Sequence, residues 1–264
     1  MFIKEYIPYY KRNLKVALPV MMTQAGQITV NLADNIMVGH LGTAELAGVS
    51  FANSIIILGM VFGIGFTQGL TPHVGQSFGR GDHAKVGALL ENSLTLNFLA
   101  SIILTLLMYG MSFLMGNMGQ TEDVVVQAKL YYNTILFSML PFLMFFGLRQ
   151  FSEGIGITKY AMYITLIANA VNITLNWALI YGHLGFNAMG VKGAAIATLV
   201  SRILMFVSFL VLFFKHCSYN TYLRHFSRNL VNSKLVKDVL NPCMSLSCLN
   251  LVEIIAFSLS AIIV

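Results

Sequence analysis

Charge is what this sequence has least of. Aspartate, glutamate, lysine and arginine make up 10% of its 264 residues, against 57% apolar residues and a mean hydropathy of +0.75. A soluble domain carries roughly a quarter charged residues, so a water-soluble fold of this length would lack the polar groups to cover its exterior. A lipid-facing surface has no such requirement. Cysteine is scarce as well. Cys217, Cys243 and Cys248 are odd in number and lack metal-ligand spacing, so nothing points to a disulfide scaffold; Cys243 and Cys248, inside an apolar run, read as small apolar fillers. No Walker sequence occurs, and Gly154-Ile-Gly156 is too short for a nucleotide signature. An Asp-x-x-x-Asp pair and a histidine cluster are both missing, which argues against a membrane-embedded prenyl- or acyltransferase and against enzyme activity. Strands alternating over about ten residues, the mark of a membrane β-barrel, are missing too.

What is present is a series of apolar runs, over residues 14–39, 46–71, 86–115, 128–148, 160–181, 190–214 and 239–264. Each reaches the roughly 20 residues of a membrane span. Helices are the structure that closes its backbone hydrogen bonds within such a run in lipid. The sequence therefore predicts an all-α integral membrane protein: a six-helix bundle over 1–214, a basic cytoplasmic connector over 215–238, and a seventh helix over 239–264. The basic start resembles a signal peptide, but the run that follows is too long for a cleavable one and contains Asp34. The last run stops at Val264 without a polar end, which reads as a truncated sequence.

The net charge of +6 lies between the apolar runs rather than in one amphipathic patch, so a lipid bilayer and not nucleic acid is the expected partner. With the amino terminus in the cytoplasm, Lys4, Lys11, Arg12, Lys15, Arg80, Lys85, Arg149, Lys159, Lys215, Arg224, Arg228, Lys234 and Lys237 fall inside. These are thirteen of the sixteen basic residues; Lys129, Lys192 and Arg202, the last within the sixth run, are the rest. Such a bias predicts a multi-pass cell-membrane protein with that orientation.

Three acids fall inside runs, where ionisable groups usually face a protein interior or a wet cavity. Glu91 lies near a span end and is expected to reach the interface; Asp34 and Glu253 lie deeper. Gln27, Asn31 and Asp34 recur at spacings of four and three, one stripe on the first helix. Thr165, Asn169, Asn172 and Asn176 form a longer stripe on the fifth. The economical arrangement turns both stripes toward one cavity, although single amides also serve as packing glue between helices. A carboxylate, amide carbonyls and the Thr198 hydroxyl supply the hard oxygen ligands alkali ions need. Alternatively, Asp34 carries a proton. Gly59, Gly63, Gly65 and Gly69 in the second run read as close helix contacts. Pro19 and Pro242 stand near the inner ends of spans one and seven, fifteen and eleven residues before Asp34 and Glu253. That spacing suggests a parallel repeat starting at span seven.

The segments LPVMMTQAGQITVNLADNIMVGHLG, GIGFTQGLTPHVGQSFGRGD, FSEGIGITKY, NAVNITLNWALIYG and MGVKGAAIATLVSR, in this order, resemble the multidrug and toxic compound extrusion (MATE) transporters over essentially the whole chain. The resemblance implies two six-helix lobes that rock between inward- and outward-open states and export drugs and organic cations against sodium or protons, without another cofactor. Asp34 resembles the family's first-helix acid. Asn172 and Asn176 resemble its fifth-helix cation-site partners, Asn176 standing where many members carry Asp. Glu253 resembles the seventh-helix acid of the sodium-coupled branch. Cation coupling is thus expected at Asp34, Asn172, Asn176, Thr198 and Glu253, with Gln27, Asn31 and Asn169 lining the cavity and a missing second lobe needed for transport. A lipid-linked sugar flippase of the same superfamily and an inactive fragment are the alternatives.

Overall fold

The chain, as a computed structural model, is described over residues 2–223 and 233–263, and every regular element among them is helical. In order these are α1 (Phe2–Gly39), α2 (Thr43–Gln68), α3 (Leu70–Gly79), α4 (His83–Leu114), α5 (Glu122–Phe137), α6 (Met139–Gly154), α7 (Lys159–Tyr181), α8 (Val191–Lys215), α9 (Cys217–Leu223) and α10 (Ser233–Ile263). Residues 224–232 of the expected connector, with Arg224 and Arg228, and Val264 lie outside the described residues.

All seven expected runs are helical. By length and composition, five helical segments of the described residues suffice to cross a membrane, and six do if the bent pair α5–α6 counts as one. The first run falls short of that measure because Gln24, Gln27, Asn31, Asp34 and Asn35 interrupt its apolar residues. The fourth run, expected as a single span, is broken into α5 and α6. The two helices meet at Ser138 with a bend of 45°. The cause is Pro141: without an N–H it leaves the Phe137 carbonyl unbonded and ends the helix there. Pro72 stands in the same relation to Gln68, and α2 gives way to α3 at Gly69. Both interruptions fall three residues before a proline.

Local chemistry fixes other helix ends. The Asp82 carboxylate accepts the Lys85 backbone N–H at 3.0 Å and caps α4. Gly182, at φ 76°, ends α7 in the left-handed region that favours glycine.

Small residues set the packing. A Cβ on Gly63 would lie 2.6 Å from a Leu143 methyl, and one on Gly59 2.8 Å from the Met108 sulfur. At Gly65 and Gly69 it would meet the Ser247 and Cys243 backbone at 2.7 and 2.6 Å, so α10 rests directly on α2. The four glycines are therefore contact points between helices. Cys243 is buried in that contact, whereas Cys248 is exposed, so only the first fills a gap as expected.

Two apolar cores hold the bundle, an aromatic-rich one around Leu90, Phe145, Phe151 and Phe209 and a mainly aliphatic one around Ile56, Tyr132, Ile135 and Met139. Large apolar side chains such as Ile28, Leu106, Phe113 and Phe137 point outward, as lipid contact requires. Two polar residues depart from expectation. Glu91 is buried rather than at the interface. Arg149, expected in a loop, is buried in α6, paired with Glu153 at 2.7 Å and 5.2 Å from the centre of the Phe146 ring. One turn of α6 covers both groups of that pair, so the helix carries its own counter-charge inside the fold.

Candidate functional site

The two polar stripes meet. Gly26 lets α1 come close to α7: a Cβ there would lie 2.9 Å from the Asn169 amide nitrogen. About two turns farther along, α1 presents Asp34 and α7 presents Asn176, whose Nδ2 donates to Asp34 Oδ1. The same nitrogen donates to Asn172 Oδ1 at 3.1 Å, and Asn172 Nδ2 donates to Thr198 Oγ1 on α8 at 3.4 Å. Thr198 in turn donates to the Ala194 carbonyl at 3.1 Å. A continuous polar chain thus crosses from α1 through α7 to α8. Its reach depends on the small residues of α8, where a Cβ on Gly193 would meet the Leu179 carbonyl at 2.7 Å.

Gln27, Asn31, Asp34, Asn169, Asn172 and Thr198 line one cavity of about 100 Å³, room for about three waters. Asn176 and Asn172 are buried, Asp34 and Thr198 partly so, and Asn31 is exposed. Asn176 Oδ1, Asn169 Nδ2 and Thr165 Oγ1 are buried with no partner in the structure. Unsatisfied buried polar atoms are rare and ask for an explanation. Asp34, Asn172, Asn176 and Thr198 all carry side-chain oxygens of the kind a hard cation accepts. Turning the Asn176 amide over would exchange its donor for the unpartnered Oδ1 beside Asp34.

The far wall of the cavity was not legible as such. Arg202, one turn after Thr198, lies beside Met60 and Phe142, and Asp34 and Arg202 also border a wider opening of about 410 Å³ with Asn53 and Tyr131. Arg202 Nη1 donates to Ser138 Oγ at 2.7 Å, Nη2 reaches the Met60 sulfur at 3.5 Å, and the guanidinium carbon lies 4.5 Å from the centre of the Phe142 ring. The signal for it was a basic residue inside an apolar run. Glu253 stands apart. It is exposed on α10 and lines neither of these cavities. One polar tie of α10 to the bundle is Asn250, which donates to Gln68 at 3.2 Å.

An all-helical, multi-pass membrane bundle closed around a carboxylate and a run of carboxamides defines the class of protein. The chain belongs to the MatE family, whose match covers residues 19–178. Among curated relatives it is similar to the multidrug resistance protein NorM of Aliivibrio fischeri, 32% identical over 197 residues, which are 75% of this chain and 43% of that protein. A probable multidrug resistance protein NorM of Geobacillus kaustophilus is 32% identical over 193 residues, 73% of this chain and 42% of that one. The chain thus spans less than half the length of these relatives. Among solved structures it resembles the outward-facing conformation of a multidrug resistance MATE family transporter of the MOP superfamily, with TM-score 0.82 and 26% identity, covering 94% of this chain and 54% of that one. A MOP superfamily transporter from Pyrococcus furiosus, described as having a binding pocket of reverse polarity that suggests a different function, matches with TM-score 0.77 and 26% identity over the same shares.

Proposed function

We propose that this chain is the ion-coupling lobe of a secondary active multidrug efflux transporter, exporting amphipathic cations against inward sodium or protons. The observation that carries the reading is the hydrogen-bonded path Asp34–Asn176–Asn172–Thr198 along a cavity inside the bundle. A carboxylate so placed is expensive unless something positive visits it. A cation arriving at Asp34 would turn the Asn176 amide, exchange donor for acceptor, and bias α1 against α7. A ligand shifts access only by preferring one of the two states, and this contact is where the preference would arise. The names of the curated relatives and of the structural neighbour support multidrug efflux as the activity of a whole protein of their length. The basic residues support a cytoplasmic amino terminus. Export of lipid-linked sugars is less well supported, because pyrophosphate would need a basic wall and the cavity residues described include one basic side chain, Arg202.

The test is Asp34→Asn in the whole transporter that contains this chain. It should be made and inserted normally and lose gradient-driven export of ethidium. Undiminished export would refute the assignment of Asp34.

A further inference from the structure

Ion coupling at Asp34 leaves the second charge of the cavity without a task. Arg202 and Thr198 are one turn apart on α8, so the hydroxyl that ends the amide path and the guanidinium share a face. The hydrogen-bond and ring partners described for Arg202 are all neutral: the Ser138 hydroxyl, the Met60 sulfur and the Phe142 ring. Ser138 stands at the bend between α5 and α6, and its hydroxyl accepts from Arg202 while donating to the Ile135 carbonyl at 2.6 Å. A guanidinium has five N–H donors, of which the described bonds use two. Among the described residues no ion pair joins Arg202 to Asp34, although both line the same two openings. A carboxylate is a stronger partner for a guanidinium than a hydroxyl or a thioether.

We propose that Arg202 is a built-in cation that trades places with the coupling ion: parked on Ser138, Met60 and Phe142 while the ion occupies Asp34, and paired with Asp34 once the ion has left. The proposal rests on the ion-coupling reading above. Two cations repel one another at a single carboxylate, and a carboxylate left alone in the bilayer interior is costly. Arg202 resolves both difficulties. It weakens the hold on the ion and supplies the counter-charge for the emptied site, so the site can unload. The charged and titratable groups that border the two openings are Asp34 from α1, Arg202 from α8 and Tyr131 from α5; α2 and α7 present amides and apolar groups. Arg202 is thus a positioning residue for the exchange and not an ion ligand.

The experiment uses the whole transporter in proteoliposomes, with ethidium efflux driven by a sodium gradient and then by a proton gradient. It reads the driving-cation concentration at half-maximal rate and the maximal rate separately. Arg202→Met should lower the half-saturating concentration about tenfold and slow the maximal rate, because the ion is held and not displaced. Arg202→Lys should move the half-saturating concentration back toward the native value. An arginine needed only for packing would change the maximal rate or the yield without tightening the cation. A half-saturating concentration that is unchanged or raised in folded Arg202→Met overturns the proposal. Should that variant fail to fold, Ser138→Ala removes the parking hydroxyl and is expected to raise the half-saturating concentration; no change there overturns the proposal equally. If Asp34→Asn still responds to the gradient, the ion-coupling reading fails and takes this one with it. If Asp34→Asn loses the response while Arg202→Met keeps the native half-saturation, the exchange role of Arg202 alone is lost.

Discussion

Removing the Asn176 side chain should cost about 1 kcal/mol of stability, while removing it together with Asp34 should expose a larger coupling. Asn176→Ala deletes the amide donor that bonds both Asp34 Oδ1 and Asn172 Oδ1. A hydrogen bond to a carboxylate contributes about 1.5–3 kcal/mol and one to a neutral amide about 0.5–1.5 kcal/mol. The same substitution also removes the buried, unpartnered Asn176 Oδ1, whose burial costs about 1–3 kcal/mol. The relief offsets the losses only in part, leaving a net destabilisation of about 1 kcal/mol. A double-mutant cycle of Asn176→Ala with Asp34→Ala isolates the shared bond and should return a coupling of about 1.5–3 kcal/mol. The measurement is equilibrium unfolding of the whole transporter in mixed micelles, followed by circular dichroism. A coupling under about 0.5 kcal/mol, the size expected of independent sites, would show that Asp34 and Asn176 do not bond, and the cation path would lose its first link.

Two further outcomes test the packing around the site. Gly69→Leu forces a side chain into the Cys243 backbone, 2.6 Å from an added Cβ, so α10 should lift from α2 and the buried Cys243 should react with a membrane-permeant maleimide. Labelling confined to Cys217 and Cys248, which are exposed in the native fold, would contradict the contact. Outside the spans, α9 is held by Tyr219, which stacks on Phe213 with ring centres 4.2 Å apart and shares a hydrogen bond of 3.0 Å with Ser152. Burial pushes the Tyr219 phenol above its ordinary value, against the opposing effect of the Ser152 bond. The folded protein therefore keeps a proton that the undocked segment releases, and the contribution is complete below about pH 10 and lost as pH rises through the folded value. Native stability should exceed that of Tyr219→Phe by about 1 kcal/mol near neutrality, and the gap should close in alkali; a gap independent of pH would rule this out.

Much of this was legible one helix at a time. The spacings of Gln27, Asn31 and Asp34, and of Asn169, Asn172 and Asn176, are properties of single helices with 3.6 residues per turn, so each polar face could be read from its own segment. The glycines of α2 announced close contacts for the same reason, because a missing Cβ is a local fact. The segments shared with the MATE transporters carried the family. The bend at Ser138 was less visible, although Pro141 supplies its cause in the sequence, because the apolar run continues through it without a break.

Partnership across the bundle belonged to the tertiary structure. Nothing in the spacing around Arg202 says that it faces Asp34's cavity, that Ser138 receives it, or that Glu91 and Arg149 are buried while Glu253 is exposed on α10. The sequence alone determined that this chain is a set of membrane helices and which stripe of each rejects lipid. The fold decided which stripes meet, because that depends on where backbones approach most closely, at Gly26 against Asn169 and Gly193 against Leu179. The first joins residues far apart along the chain, the second spans the turn between α7 and α8, and neither leaves a period in the sequence.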